Sequence, residues 1–364
     1  MNKISTKHFI FFLLGVTVIS LKTYTSIFIT LGDRDTWIIS IFSSLVFIIY
    51  LIYIISTCVR TKTFDIKEIF SKSYPKIISK ILLFVFSLNL FINALESASV
   101  ETNALRSTLF SDTPVWYILI FFLLPSFFIL NKDIRTVLIF VLISVFLLIL
   151  NCCFFFIFPQ GYSEHNNLMP TLANGFSFDF FKTFLYILGG YSTFLISIPY
   201  LKYIDNSKKL RKHSIFAALI AIVIIVISFI MIIATFGPLR AKNIFYPEFV
   251  MAQRIKIAGF LEFGEFFFIM QTVVGFFVKY ALSTYAILII YNEEIKNKKL
   301  FIGIYSFLIY VLSNYLGRNN YYLHQNLLHI QKVNLICFIL IPLVTFSIYN
   351  IKFKAPKTDK VNKN

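Results

Sequence analysis

Residues 8–31 read HFIFFLLGVTVISLKTYTSIFITL, and residues 180–201 read FFKTFLYILGGYSTFLISIPYL. Each is an apolar run long enough to cross a hydrocarbon core of ~30 Å, for which about 20 helical residues suffice. Each is also interrupted. The first has a purely apolar half, Phe9 to Leu14, followed by Gly15, Thr17, Ser20, Lys22, Thr23 and Thr25. The second carries Gly189 and Gly190 in mid-run, then Tyr191, Ser192, Ser197 and Pro199. Glycine weakens a helix and leaves its backbone approachable, while small hydroxyl side chains satisfy the backbone groups that an interruption frees. Gly and Ser also serve ordinary helix contacts in membranes, so either stretch alone says little. Breaks at matching places in two halves of a chain mark a binding site near the bilayer midplane.

Working outward from these two runs, hydropathy places spans at 8–31, 37–59, 78–108, 115–130, 135–158, 180–201, 214–236, 260–291, 300–316 and 333–351. Ten spans divide into five and five, and an odd number per half makes the halves run in opposite directions. The expected fold is an all-α integral membrane protein with about ten transmembrane helices, a five-plus-five inverted repeat with helices 1 and 6 broken. Composition points the same way. Of 364 residues, 58% are hydrophobic and 14% charged, with a mean hydropathy of +0.79. That is too little polar surface for a soluble globule. The connecting loops are too short to fold separately, so residues 1–351 are expected to form one transporter-like transmembrane domain, with a basic cytoplasmic tail at 352–364.

The net charge of +17 would raise the question of nucleic acid in a soluble protein. Here the cations concentrate on alternate loops. Lys3 and Lys7, the 60–80 loop, Lys132, Arg135, the 202–212 loop, Lys296, Lys298, Lys299 and the lysines after Tyr349 fall on one side. The positive-inside rule makes that side, and both termini, cytoplasmic. Arg240, Lys242, Arg254 and Lys256, together in one outer loop, run against the trend. The 60–80 and 202–212 loops serve as a topology signal, or dock anionic lipid or an acidic partner. No nucleic acid is expected. Cys58, Cys152, Cys153 and Cys337 sit in apolar runs as packing residues, and His324 and His329 have the wrong offset for one helical face. Neither a metal site nor a phosphate-binding or hydrolase motif is visible, so no cofactor and no enzymatic activity are expected.

Span 3 contributes polar residues at depth. Asn89, Asn93, Glu96 and Asn103 share one helical face, with Ser97, Ser99 and Glu101 beside it. A carboxylate in lipid costs ~2.5–3.5 kcal/mol or more, so this stripe faces protein or a watery cavity. Span 8 offers Glu262, Glu265, Gln271, Thr272 and Lys279, the last of which could snorkel to the cytoplasmic side. Lys22 lies ~21 Å along span 1 and Glu96 ~24 Å along span 3, counted at 1.5 Å per residue from the inner ends. Either the two meet, neutralising each other or presenting both charges to a zwitterionic solute, or Lys22 holds its charge among the outer headgroups. The candidate ligand site is backbone opened near Gly15 to Ser20 and near Gly189, Gly190 and Ser192. Hydroxyls of Thr17, Ser20, Tyr191 and Ser192 add to it, and Lys22 and Glu96 set selectivity for a ligand with an extra acceptor or acidic group.

Four further stretches carry a resemblance. They are Arg34-Asp35-Thr36-Trp37 opening span 2, Ser99-Val100-Glu101-Thr102 in span 3, Asn167-Leu168-Met169-Pro170 with Gly175, and Ile257-Ala258-Gly259-Phe260-Leu261-Glu262 with Glu265 opening span 8. Weak one by one, they are fairly specific in this order on ten spans. The chain resembles, over most of its length, the B subunit of endospore germinant receptors, a branch of the amino acid/polyamine/organocation transporter superfamily. The resemblance implies a small-molecule germinant site among helices 1, 3, 6 and 8, with Glu101 as the family's span 3 glutamate. It also implies a complex with an A subunit and a C-subunit lipoprotein in the spore inner membrane. The chain departs from the family at Lys22, where a proline is usual, at Gly190-Tyr191-Ser192, where an acidic residue is missing, and at Phe263 and Gly264, where an Arg is usual. The expected function is a nutrient-germinant sensor that signals to partner subunits. A proton- or ion-coupled amino acid or amine permease is the alternative, and a channel or scaffold for release of small spore solutes a third reading.

Overall fold

The computed structural model describes residues 4–157, 163–173, 175–257, 261–262 and 264–353. Span 1 is His8–Thr23 followed by Ser26–Gly32, span 2 Thr36–Thr61, span 3 Lys76–Thr108, span 4 Val115–Asn131 and span 5 Ile134–Ile157. Span 6 is Phe178–Tyr191 continued as a 3-10 helix over Ser192–Tyr203, span 7 Leu210–Phe236, span 8 Gly264–Ile290 and span 9 Lys298–Leu316. Span 10 is Asn320–Asn334, a π-helical turn Leu335–Leu340 and Ile341–Lys352. Between spans 7 and 8 lie two short helices, Pro238–Ala241 and Pro247–Ala252, and a two-residue hairpin pairing Lys256–Ile257 with Leu261–Glu262.

The two halves are related as inverted repeats. Span 1 packs against span 6, span 2 against 7, span 3 against 8 and span 4 against 9, and the pairing of span 1 with span 7 is matched by that of span 6 with span 2. Equivalent elements meeting in this way is what a two-fold axis in the membrane plane requires. Burial separates centre from rim: 89% of the apolar window of span 6 and 83% of that of span 8 are buried inside the protein, against 22% for span 9. Rim spans turn Phe121, Phe146 and Phe307 outward, as lipid-facing helices do. Ile4 bonds the loop after span 6, Lys202 pairs with Asp65, and Lys352 donates to Ser73 O. Both ends of the described chain therefore share one face, termed here the terminal face.

Span 6 breaks at the expected place. A Cβ on Gly189 would collide with the carbonyl of Gln331, and one on Gly190 with Leu21, so the glycines admit span 10 and span 1 at the point where α-helix gives way to 3-10. Span 1 breaks later than the sequence indicates. The helix runs unbroken through Gly15, Thr17 and Ser20 and is interrupted at Tyr24, with φ −114° and ψ 50°. Gly15 is a contact residue, since a Cβ there would lie 2.7 Å from Val278 Cγ1 of span 8. The Thr17 hydroxyl returns to Leu13 O at 2.8 Å within an intact turn.

Two boundaries also move. Span 10 begins at Asn320, capped by the Asn319 side chain, and not at 333. Its first half carries His324, Gln325, Gln331, Lys332 and Asn334, too polar for a hydropathy window, because much of it faces span 3 and the loop after span 7. Span 8 begins at Gly264, and the last helix runs to Lys352, so that the tail expected after it lies mostly outside the described residues.

Candidate functional site

Two buried ion pairs flank span 1, one on each side. Successive residues of a helix turn by about 100°, so Ser20 and Tyr24 project one way and Lys22 nearly the opposite way. On the first side, Glu96 of span 3 pairs with Lys279 of span 8 at 2.8 Å. The other carboxylate oxygen accepts hydrogen bonds from Ser20 Oγ and Tyr24 OH, both at 2.6 Å. Lys279 Nζ also donates to Ser20 Oγ at 2.6 Å, and Gln331 Nε2 of span 10 donates to Tyr24 OH at 3.2 Å. Lys279 does not snorkel. It lies midway along a 27-residue helix, with its side chain fully buried and its ammonium held by Glu96 and Ser20.

On the second side, Lys22 Nζ donates to Glu248 and to the Gln271 carbonyl oxygen, and Gln271 Nε2 donates to the other Glu248 oxygen. Ser228 Oγ of span 7 donates to Glu248 at 3.2 Å, and the Phe155 ring of span 5 lies 4.5 Å from Lys22 Nζ. Lys22 and Glu248 are each 1% exposed. Neither of the two placements open to Lys22 is taken: it does not meet Glu96, and its buried ammonium is not in water among the headgroups. Equal depth along two helices left the direction of the side chain undecided, and helical phase turns Lys22 away from span 3. Its real partner lies in the loop between spans 7 and 8, on the helix Pro247–Ala252 that folds back into the bundle. The sequence held a signal for this: the apolar run Phe249-Val250-Met251 directly after Pro247-Glu248 is out of place in a loop bathed by water.

The remaining candidates are brought elsewhere. Tyr191 stacks on Phe47 at 4.9 Å and shares a 3.3 Å hydrogen bond with Ser40, while Ser192 Oγ donates to Gly189 O at 2.6 Å. Neither hydroxyl meets an ion pair. Glu101 is buried and accepts a 3.2 Å bond from Thr102 Oγ1. The polar stripe of span 3 faces protein: Asn93 Nδ2 donates to Asn334 Oδ1 at 2.8 Å, Asn103 Nδ2 to Asn320 Oδ1 at 2.8 Å, and Tyr246 OH to Asn103 Oδ1 at 2.5 Å. Span 10 and the loop after span 7 are thus walls that hydropathy alone concealed. Arg34 and Asp35 stitch the face opposite the termini, since Arg34 donates to Met169 O and Asp35 Oδ1 accepts from Leu172 N at 2.8 Å. Nearby, Asn167 Nδ2 donates to Ala234 O at 2.9 Å.

Charges buried beside an interrupted central helix, within two inverted halves of five spans, define the class: a multi-pass membrane protein with a transporter fold. The chain matches the family model described as spore germination protein over residues 3–322, and it belongs to that family. It is similar to spore germination protein XB of Bacillus anthracis, 24% identical over 256 residues that cover 70% of this chain and 71% of that protein. Among solved structures it is similar to MhsT in complex with L-phenylalanine, with a TM-score of 0.62 and 12% identity over 97% of this chain and 99% of that one. At that identity the likeness establishes the fold.

Proposed function

We propose that this chain is the nutrient-germinant sensing membrane subunit of a spore germinant receptor. It binds a small amino-acid-like molecule within the bundle and passes occupancy to partner subunits without chemically altering the ligand. The reading is carried by one observation: a member of the spore germination protein family buries two ion pairs against the interrupted span 1. Ionisable groups at membrane depth are costly, and they earn their place by contact with a solute or a moving element. Occupancy shifts a conformational equilibrium by the difference in affinity between two states, and no more than that. The partners in this reading are an A subunit and a C-subunit lipoprotein, the location is the spore inner membrane, and the basic terminal face looks into the core. Deletion of the gene together with its neighbours is expected to abolish germination in response to at least one small nutrient. Unchanged germination to every nutrient tested overturns the proposal.

A second reading has a specific observation behind it. The fold likeness to MhsT, solved with L-phenylalanine, suits an amino acid or amine permease equally well. Uptake of labelled solute by the reconstituted chain without partners would favour it.

A further inference from the structure

The carboxylate of Glu248 is held by groups that belong to three different spans, while Glu248 itself belongs to none. One oxygen accepts from Lys22 Nζ of span 1 and Ser228 Oγ of span 7, and the other from Gln271 Nε2 of span 8. Lys22, Ser228 and Gln271 are all buried, and the donors converge from the long helices that make up the bundle. The acceptor arrives on a six-residue helix, Pro247–Ala252, whose only charged residue is Glu248. A helix of that length has no stability of its own. Five of its six residues are buried, and the loop is tied to the bundle by Phe249 against Phe268 of span 8 at 5.2 Å, by Tyr246 OH on Asn103 of span 3, and by the Phe245 carbonyl, which accepts from Ser26 Oγ of span 1 at 3.1 Å and lies 3.1 Å from His324 Nε2 of span 10.

Beside the clamp lies a small, almost wholly apolar cavity of about 30 Å³, lined by the Lys22 and Gln271 side chains and by Val18, Ile19, Val145 and Ile149. It has room for roughly one methylene-sized group, about the share of liquid volume of one water molecule. Clamp and cavity together have the make-up of a binding site for a short-chain carboxylate: a buried cation and two neutral donors for the two oxygens, and an apolar recess for a small substituent.

We propose that Lys22, Gln271 and Ser228 form a receptor for the carboxylate of a small monocarboxylate, and that Glu248 on the short helix occupies it as a tethered competitor. Ligand and helix then exclude each other. Binding of the free carboxylate transfers the ion pair from Glu248 to the ligand, so the charge on Lys22 stays compensated while the short helix loses its anchor. The device rests on the receptor reading above and gives it a ligand class and a moving part. Specificity follows from charge, since an uncharged isostere offers Lys22 no counter-ion and competes poorly with Glu248.

Propionate is the test ligand, because it reproduces the Glu side chain beyond Cα, and propionamide is its neutral counterpart. In the purified full chain in nanodiscs, Glu248→Ala is expected to bind propionate at least tenfold more tightly than wild type, with no such gain for propionamide. The double variant Lys22→Met/Glu248→Leu replaces the pair by apolar groups of similar bulk and is expected to fold and to bind neither. Equal propionate affinity in wild type and Glu248→Ala, or binding that survives in the double variant, overturns the proposal. Should Glu248→Ala not fold, hydrogen exchange on the wild-type chain decides. Saturating propionate, and not propionamide, is expected to speed exchange of the amides of residues 245–252, and unchanged exchange overturns the proposal. A Glu248→Ala chain that binds propionate while its spores respond to every nutrient as wild type leaves the carboxylate site standing and overturns the germination role instead.

Discussion

The two buried ion pairs differ in what holds them. Glu96 and Lys279 sit on helices of 33 and 27 residues, packed along their length against each other and bridged by Ser20 and Tyr24 of span 1. Neither partner can leave without dismantling the bundle. Lys22 is equally buried, but its partner Glu248 rides on a helix of six residues in a connecting loop. One side of span 1 is a fixed joint and the other a latch. On the proposal above, the pair on the long helices fixes where span 1 stands, and the pair on the loop helix is the one a ligand displaces.

The largest effect expected from this difference is on stability. Glu96→Leu leaves Lys279 buried and uncompensated, which costs about 3–5 kcal/mol, and the double variant Glu96→Leu/Lys279→Met is expected to recover most of it. Thermal unfolding of the purified chain in detergent checks both, and a Glu96→Leu midpoint equal to wild type would remove the distinction between joint and latch. Glu248→Ala comes next. On the proposal that the loop helix is released and water reaches Lys22, the loss is expected to be nearer that of hydrogen bonds to a charged group, about 1.5–3 kcal/mol. A midpoint below that of Glu96→Leu would reverse the order.

The sequence made the joint half legible and the latch hardly at all. Span count, the five-plus-five division and the break at Gly189-Gly190 follow from hydropathy and from where glycine allows close approach. Depth along a helix is also readable, and it placed Lys22 and Glu96 at similar heights. Direction is not. Whether Lys22 looks toward span 3 or toward spans 7 and 8 depends on how span 1 is rotated, and that is fixed by contacts such as Gly15 on Val278. Glu248 was hidden for a different reason: a loop that folds back into a bundle has no periodicity to betray it. The polar half of span 10 was lost because hydropathy reads a buried polar helix as a loop.

The smallest effect lies outside the membrane. At the terminal face Lys67 pairs with Glu294 at 2.7 Å and with Glu293 at 3.0 Å. Its hydrogen bond to Glu294 holds the Lys67 ammonium above its ordinary range, and the same bond holds the Glu294 carboxyl below its own. The raised lysine contributes fully below its ordinary value near ~10.4 and loses the contribution as pH climbs through the raised one. The lowered glutamate contributes fully above ~4.3 and loses it as pH falls through the lowered one. Between those limits the pair adds a constant amount, less than about 1 kcal/mol because both groups are solvent-screened. Lys67→Met is therefore expected to lower the unfolding midpoint slightly and equally at pH 6 and pH 9, with the difference from wild type shrinking below pH 4. A difference that grows in acid would contradict the assignment.

The claim that the Lys22 side of span 1 is where a ligand acts is tested most directly by germination dose–response. Spores carrying Lys22→Met at wild-type membrane abundance are expected to need at least tenfold more nutrient for a half-maximal response. Wild-type sensitivity in that variant would contradict the account, leaving Lys22 and Glu248 as a structural pair with no part in sensing.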